Sequence, residues 1–153
     1  MALPKLGNLA PAFTLHNQDD VKVSLKDFKG KKNVVVYFYP KASTPGCTVE
    51  ACNLRDNYTV LQEHGYELLG ISADSEKRQS NFRNKYEFPF PLLADEDKAV
   101  INAFGVWGEK KFMGKTYDGI HRKTFIIKEE GFVERVIDKV KTKDHAAQIL
   151  ETV

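Results

Sequence analysis

The sequence predicts an α/β sandwich: a central mixed β-sheet flanked by helices, with an N-terminal extension. Three observations carry that class. Asn33–Tyr39 (N-V-V-V-Y-F-Y) and Tyr66–Ser72 (Y-E-L-L-G-I-S) are β-rich runs without polar alternation, the mark of strands covered on both faces. A helical stripe separates them, and strands that alternate with helices favour parallel pairing. Lys123–Lys128 and Phe132–Ile137, split by Glu129-Glu130-Gly131, read as a β-hairpin that adds antiparallel pairs.

The elements follow in order. Phe13–Leu15 and Val21–Ser24 are short extended pieces around the turn Asn17–Asp20, and Ser24–Asp27 caps a helical turn that stops at Gly30. Pro40 ends the first buried strand. From Cys47 to about His64, Cys47, Ala51, Leu54, Tyr58 and Leu61 recur at steps of three and four, one apolar face of a helix that Gly65 stops. Asp74 is placed to cap a charged helix running to about Tyr86, which Phe88-Pro89-Phe90-Pro91 must break. Leu92–Ala94 is a short strand and Asp97–Phe104 a short helix closed by Gly105. Residues 106–120, with Gly108, Gly114 and Gly119, read as a long loop. Thr142–Val153 is a last amphipathic helix with Ala146, Ala147, Ile149, Leu150 and Val153 inward. A thioredoxin-like arrangement fits this order, as do other small α/β folds.

The 153 residues suit one domain spanning the whole chain. Hydrophobic residues make up 42% and charged residues 29%, which excludes disorder and low-complexity repeats. A net charge of +2 gives no reason to expect nucleic acid or an acidic membrane as partner. The apolar run Val34–Tyr39 is too short to span a bilayer, and the N-terminus has no charged segment followed by an apolar core. The expected location is the cytoplasm. Gly114-Lys115-Thr116 is not a phosphate loop, because position 109, where that motif needs glycine, is Glu109.

Cys47 and Cys52 are the only cysteines. In a reducing compartment they suggest redox chemistry, a metal, or two inert core thiols. His16, His64, His121 and His145 are scattered without metal-ligand spacing, so no metal is expected. The informative stretch runs from Phe38 to Thr48, F-Y-P-K-A-S-T-P-G-C-T. It leaves a buried strand, turns, and opens a helix with a cysteine in the first turn. Free N–H groups and a partial positive charge at a helix N-terminus favour thiolate over thiol. Pro45 suits helix entry, and Thr44 is placed to cap the first turn or to bond a substrate oxygen. Pro40 either simply ends the strand or walls the thiolate from water. In an intact helix the Cα atoms of Cys47 and Cys52 lie about 8–9 Å apart, beyond the roughly 7 Å limit of a disulfide. If they pair, the first turns must unwind.

P-x-x-x-T-x-x-C, carried by Pro40, Thr44 and Cys47, resembles the active-site signature of peroxiredoxins. The fuller string from Phe38 to Asp56 is similar to the bacterioferritin comigratory protein (peroxiredoxin Q) branch, as are Gly105–Lys110 and Gly114–Arg122. The resemblance runs from about Leu6 to Leu150. It implies a thioredoxin-like fold and the reduction of hydrogen peroxide and organic hydroperoxides. It implies Cys47 as the peroxidatic nucleophile, Thr44 and Pro40 as its neighbours, Arg122 beside the thiolate, and Cys52 as the resolving cysteine. By its residues alone Arg122 is an ordinary surface cation at a strand edge. Where many relatives carry acidic residues, this chain has Ala42 and Ser43. The resemblance further implies thioredoxin or a similar dithiol reductant, and no metal, flavin or haem. The chain is expected to act as a monomer, a weak dimer being the alternative. Two rivals remain at this point. A thiol–disulfide oxidoreductase would carry C-x-x-C rather than four intervening residues. A binding or holdase module would leave both cysteines silent.

Overall fold

The computed structural model describes residues 3–151. Seven strands form one sheet: β1 (Thr14–Asn17), β2 (Lys22–Ser24), β3 (Asn33–Phe38), β4 (Tyr66–Ser72), β5 (Leu92–Ala94), and two later strands, Lys123–Ile127 and Val133–Ile137. Two more, β6 (Trp107–Phe112) and β7 (Lys115–Ile120), pair only with each other, so the later strands are β8 and β9. The sheet order is β2-β1-β5-β4-β3-β8-β9. β3–β4 and β4–β5 are parallel and the other pairs antiparallel, so the sheet is mixed as expected. A mixed sheet with helices on both faces matches the α/β sandwich that the sequence predicts.

The lack of alternation in β3 has a direct cause: it packs a core on each face. Val35 and Tyr37 join Leu68, Ile126, Ala51, Leu54, Phe82 and Ile149. Val34, Val36 and Phe38 join Leu69, Ile71, Ile101, Phe104, Phe125 and Ile127 on the opposite face. Helices α1 (Pro45–Asp56), α3 (Glu76–Tyr86) and α5 (His145–Leu150) thus cover one face, and α4 (Ala99–Ala103) the other. Each fully buried Leu, Ile or Phe contributes about 1.5–3 kcal/mol relative to exposure.

Several expectations are corrected. The helix expected from Cys47 to His64 starts two residues earlier, at Pro45, and is broken at Asn57 into α1 and α2 (Tyr58–Glu63). Asn57 leaves helical geometry (φ −114°, ψ 12°) while its side-chain N–H donates to the Asn53 carbonyl at 2.8 Å. That bond competes with the helical ladder. α3 is capped by Ser75, whose hydroxyl accepts from the Arg78 N–H at 3.2 Å, and not by Asp74, whose carboxylate is engaged elsewhere. The expected loop at 106–120 is the β6–β7 hairpin. Its turn is the pair Met113-Gly114, both at positive φ (50° and 78°), with Phe112 opposite Lys115. Two such residues suit the right-handed twist of a two-residue hairpin. The last helix begins as a 3-10 turn (Thr142–Asp144), and Ala147 faces out rather than in. Val153 lies outside the described residues.

Candidate active site

The site is assembled at the C-terminal ends of parallel strands β3 and β4. β3 delivers Tyr39 and Pro40 into a tight loop, Lys41–Thr44, and α1 begins at Pro45. Ser43 takes the left-handed conformation (φ 66°), which costs a non-glycine residue energy. A buried network holds the loop. The Ala42 N–H donates to Asp74 Oδ2 at 2.8 Å, and the Ser72 hydroxyl donates to the same oxygen at 2.7 Å. Gln79 Nε2 donates to the Ser72 hydroxyl at 2.9 Å, and the Tyr39 hydroxyl donates to Gln79 Oε1. Four side chains from β3, β4, the turn after β4, and α3 therefore converge on one backbone N–H of the loop. This explains why Asp74 does not cap α3.

Thr44 occupies the N-cap position of α1, but its side chain does not cap. The hydroxyl donates back to the Lys41 carbonyl at 2.7 Å. Its own carbonyl accepts from the Thr48 N–H at 2.9 Å and the Thr48 hydroxyl at 2.8 Å. Thr48 is the first residue with an intrahelical partner, so the Gly46 and Cys47 N–H groups stay free of the ladder. Cys47 is in this first turn and is buried, at 1% exposure.

Arg122, on the link between β7 and β8, reaches over this turn. Its Nη2 donates to Cys47 Sγ at 3.4 Å and its Nη1 to Glu50 Oε1 at 2.6 Å. The approach is close to Gly46: a Cβ there would lie 3.2 Å from Arg122 Nη2, and the guanidinium would have to give by a few tenths of an ångström. Glu50 follows Cys47 by three residues, nearly one helical turn, and has no exposed surface. Burial pushes its carboxyl up to about 7, with Arg122 pulling the other way. Sequence reasoning missed both Glu50 and Gly46. An acid three residues after the cysteine was a readable signal for Glu50, whereas nothing in the chain marked Gly46.

Behind Glu50 stands His145, the first residue of α5, also without exposed surface. Its Nε2 is 3.6 Å from Glu50 Oε2 and 2.7 Å from the Thr124 hydroxyl. Burial holds its ring down to about 4, with the Gln148 hydrogen bond opposing, so it is neutral at neutral pH.

Pro40 lines an open cleft of about 370 Å³ between the active-site loop and the β6–β7 hairpin, opposite Trp107, Lys110 and Tyr117. Lys110 donates to the Ile120 carbonyl at 2.9 Å. Its ammonium pKa is lowered by burial and then by Arg122. The hairpin that the sequence left as a loop thus forms one wall of a cleft that shares Pro40 and Lys41 with the active-site loop.

Cys52 lies on the same unbroken helix and both thiols are free. It is half-buried on the flank of the apolar cluster that contains Cys47. Burial pushes its thiol up, Arg55 pulling it back. The neighbouring Asn53 ties α1 to the C-terminal segment: its Nδ2 donates to the Lys143 carbonyl at 2.9 Å, and its Oδ1 accepts from the Ala146 N–H at 2.8 Å.

Among the described residues, the metal-ligand atoms that converge belong to His16, Asp20 and Glu76, on β1, the turn after it and the start of α3. His16 Nδ1 lies 2.8 Å from Asp20 Oδ1 and 3.0 Å from Glu76 Oε1 at the surface, and the three have no part in the cysteine site. No helix among the described residues is long and apolar enough to cross a membrane.

The model of the AhpC/TSA family matches residues 6–136. The putative peroxiredoxin bcp of Haemophilus influenzae is 56% identical over 146 residues, covering 95% of this chain and 94% of that protein. The bacterioferritin comigratory protein of Xanthomonas campestris, solved as trapped intermediate and ligand complexes bearing on its alkyl peroxide reduction activity, superposes with a TM-score of 0.84. It is 38% identical, over 90% of this chain and 87% of that one. A cysteine-to-serine mutant of Xylella fastidiosa PrxQ superposes with a TM-score of 0.90 at 28% identity, covering 98% of this chain and 95% of that one.

Proposed function

The chain belongs to the AhpC/TSA family as a peroxiredoxin, a thiol-dependent peroxidase of the bacterioferritin comigratory protein (peroxiredoxin Q) branch, and we propose that Cys47 is its peroxidatic nucleophile and Cys52 its resolving cysteine. The observation that carries this is the Arg122 contact, 3.4 Å from Cys47 Sγ in the open first turn of α1. A guanidinium and a helix N-terminus both favour the thiolate.

The thiolate attacks the terminal oxygen of a hydroperoxide. The S–O bond forms, the O–O bond breaks, and water or an alcohol leaves, so Cys47 becomes a sulfenic acid. Arg122 and the free Gly46 and Cys47 N–H groups stabilise charge as it moves onto the leaving oxygen. The Thr44 hydroxyl, whose proton is on Lys41 O, keeps its lone pairs for the peroxide O–H. Pro40 keeps one side of the sulfur dry. The substrates are hydrogen peroxide and organic hydroperoxides.

Resolution requires α1 to unwind, because both cysteines sit in an unbroken helix. Cys52 then leaves its half-buried flank and attacks the sulfenic sulfur, forming a disulfide and releasing water. Thioredoxin or a similar dithiol reduces the disulfide by exchange, and the enzyme acts as a cytoplasmic monomer. Intact mass after one equivalent of hydrogen peroxide tests the scheme. The expected result is rapid loss of two hydrogens, far faster than a free thiol reacts. An unchanged mass with peroxide still present would sink it.

A further inference from the structure

Glu50 Oε2 is a buried carboxylate oxygen with no hydrogen-bond partner. Such a group is costly as an anion. The imidazole facing it, His145, has its Nε2 3.6 Å away. The proton positions follow from the surrounding bonds. Gln148 Oε1 accepts from the Lys141 N–H at 2.9 Å, and its Nε2 donates to the Lys139 carbonyl at 2.9 Å, which fixes the amide orientation. His145 Nδ1, 2.9 Å from Gln148 Oε1, must therefore carry the hydrogen. The neutral ring's bare Nε2 then accepts from the Thr124 hydroxyl at 2.7 Å and stands 3.6 Å from Glu50 Oε2 with no hydrogen to offer it. A carboxylate there meets no donor, whereas a carboxylic acid buries no charge.

Charge gives the second reason. Arg122 is the cation that contacts both Cys47 and Glu50. The other titratable groups near them are Tyr37 from β3, Tyr39 just after it, His145 from α5 and, on β6, Lys110, whose ammonium is spent on the Ile120 carbonyl at 2.9 Å rather than on either anion. Two buried anions on one guanidinium leave an uncompensated negative charge, and one anion leaves none.

Resting on the peroxidase reading, we propose that Glu50 and Cys47 take turns as the single anion held by Arg122. While Cys47 is the thiolate, Glu50 is a neutral carboxylic acid with its proton on Oε2. When Cys47 becomes a sulfenic acid, Glu50 becomes the carboxylate. The step balances. Sulfur donates an electron pair to the terminal peroxide oxygen, the S–O bond forms and the O–O bond breaks. The leaving alkoxide or hydroxide takes one proton from solvent and Glu50 releases one to it, so the net count is zero. Sulfur is oxidised, peroxide is reduced, and the buried site is neutral before and after. Glu50 and His145 are positioning residues here, acting through Arg122 and through proton count rather than by touching the peroxide.

The test is proton counting during a single oxidation. Cys52→Ser protein, reduced and lightly buffered with an indicator dye, receives one equivalent of hydrogen peroxide at a pH where Cys47 is ionised. Proton uptake is divided by the sulfenic acid found by mass, so a change of rate does not enter. The expected result is no net uptake in Cys52→Ser and about one proton per sulfur oxidised when Glu50→Gln is added. Equal uptake in the two proteins overturns the proposal and leaves the peroxidase reading intact. Peroxide left unconsumed by Cys52→Ser removes both. Infrared difference spectra of the otherwise unaltered protein need no substitution at Glu50. A protonated-carboxyl band lost on oxidation is expected, and a spectrum with no such band overturns the assignment. In the reduced protein, long-range nitrogen NMR should show His145 protonated on Nδ1 alone; a doubly protonated ring also overturns it.

Discussion

The two cysteines share one helix and meet opposite surroundings. Cys47 lies in the first turn, buried, with a guanidinium at 3.4 Å and free backbone N–H groups beside it. Cys52 lies in the middle of α1, where its neighbours' N–H groups are spent in the helical ladder. Its Arg55 is turned to Asp56 and the Tyr86 carbonyl, and burial pushes its thiol up. The difference teaches that five positions along one helix suffice to give one thiol a cation and free N–H donors and the other neither. What surrounds Cys47 is mostly not from the helix. It comes from the β7–β8 link and from the loop that the Asp74 network clamps.

The largest effect should come from deleting the thiol beside the cation. Cys47→Ser should lower peroxide turnover to the background of a free thiol, read by peroxide consumption with a dithiol reductant. The same assay on Cys52→Ser should show one oxidation per protein and then loss of turnover with a protein dithiol. Full turnover in that variant would remove the resolving role.

Next is the cation that distinguishes the two sites. Arg122→Met should lower the second-order rate with hydrogen peroxide by about a hundredfold or more, because a preorganised charge at the developing oxyanion is lost. The reaction of Cys52 with an alkylating reagent should be unmoved.

Smaller effects should blur the boundary between the two ends of α1. Asn53→Ala removes the tie from Cys52's neighbour to the Lys143 carbonyl and the Ala146 N–H. It should cost about 1 kcal/mol, a fall of a few degrees in Tm. Disulfide formation after sulfenic acid should become faster, since the helix lets go more easily. A slower disulfide step would show that Asn53 does not restrain unwinding.

The last effect, on stability alone, is a slope with pH. Glu50's carboxyl is raised to about 7, so between its unfolded value near 4.5 and about 7 the folded state binds more protons and stability falls as pH rises. His145 is lowered to about 4, so between about 4 and its unfolded value near 6.5 the unfolded state binds more protons and stability rises with pH. The two slopes oppose one another from about 4.5 to 6.5. Glu50→Gln removes the falling one. Its stability in urea, relative to the wild type, should therefore climb across that window. A constant difference between the two proteins would show that Glu50 does not titrate there.

How much was legible depends on where each element buries its side chains. β3, β4 and the β8–β9 hairpin were readable because each packs apolar residues against a core, and burial writes itself into composition. The β6–β7 hairpin was not. Lys111, Phe112, Met113 and Lys115 near its tip are exposed, so no alternating apolar face marked it, and its glycines imitated a loop. Pro40, Thr44 and Cys47 were legible as a local motif. Arg122 was legible only through resemblance, since by its residues alone it is a strand-edge cation.

The sequence by itself determined the strand–helix order, the two-faced burial of β3 and β4, and the placing of Cys47 in a helix's first turn. These depend on spacing within a short window of chain, where periodicity, proline and capping act directly. Only tertiary structure decided that Arg122 bridges Cys47 and Glu50, that Asp74 clamps the Ala42 N–H instead of capping α3, and that His145 stands behind Glu50. Those contacts join residues 32 to 95 positions apart, among them Ala42 with Asp74 and Glu50 with His145. No local pattern encodes such a meeting. It is set by how the sheet twists, how far each helix sits above it, and which charges can be buried together at the least cost.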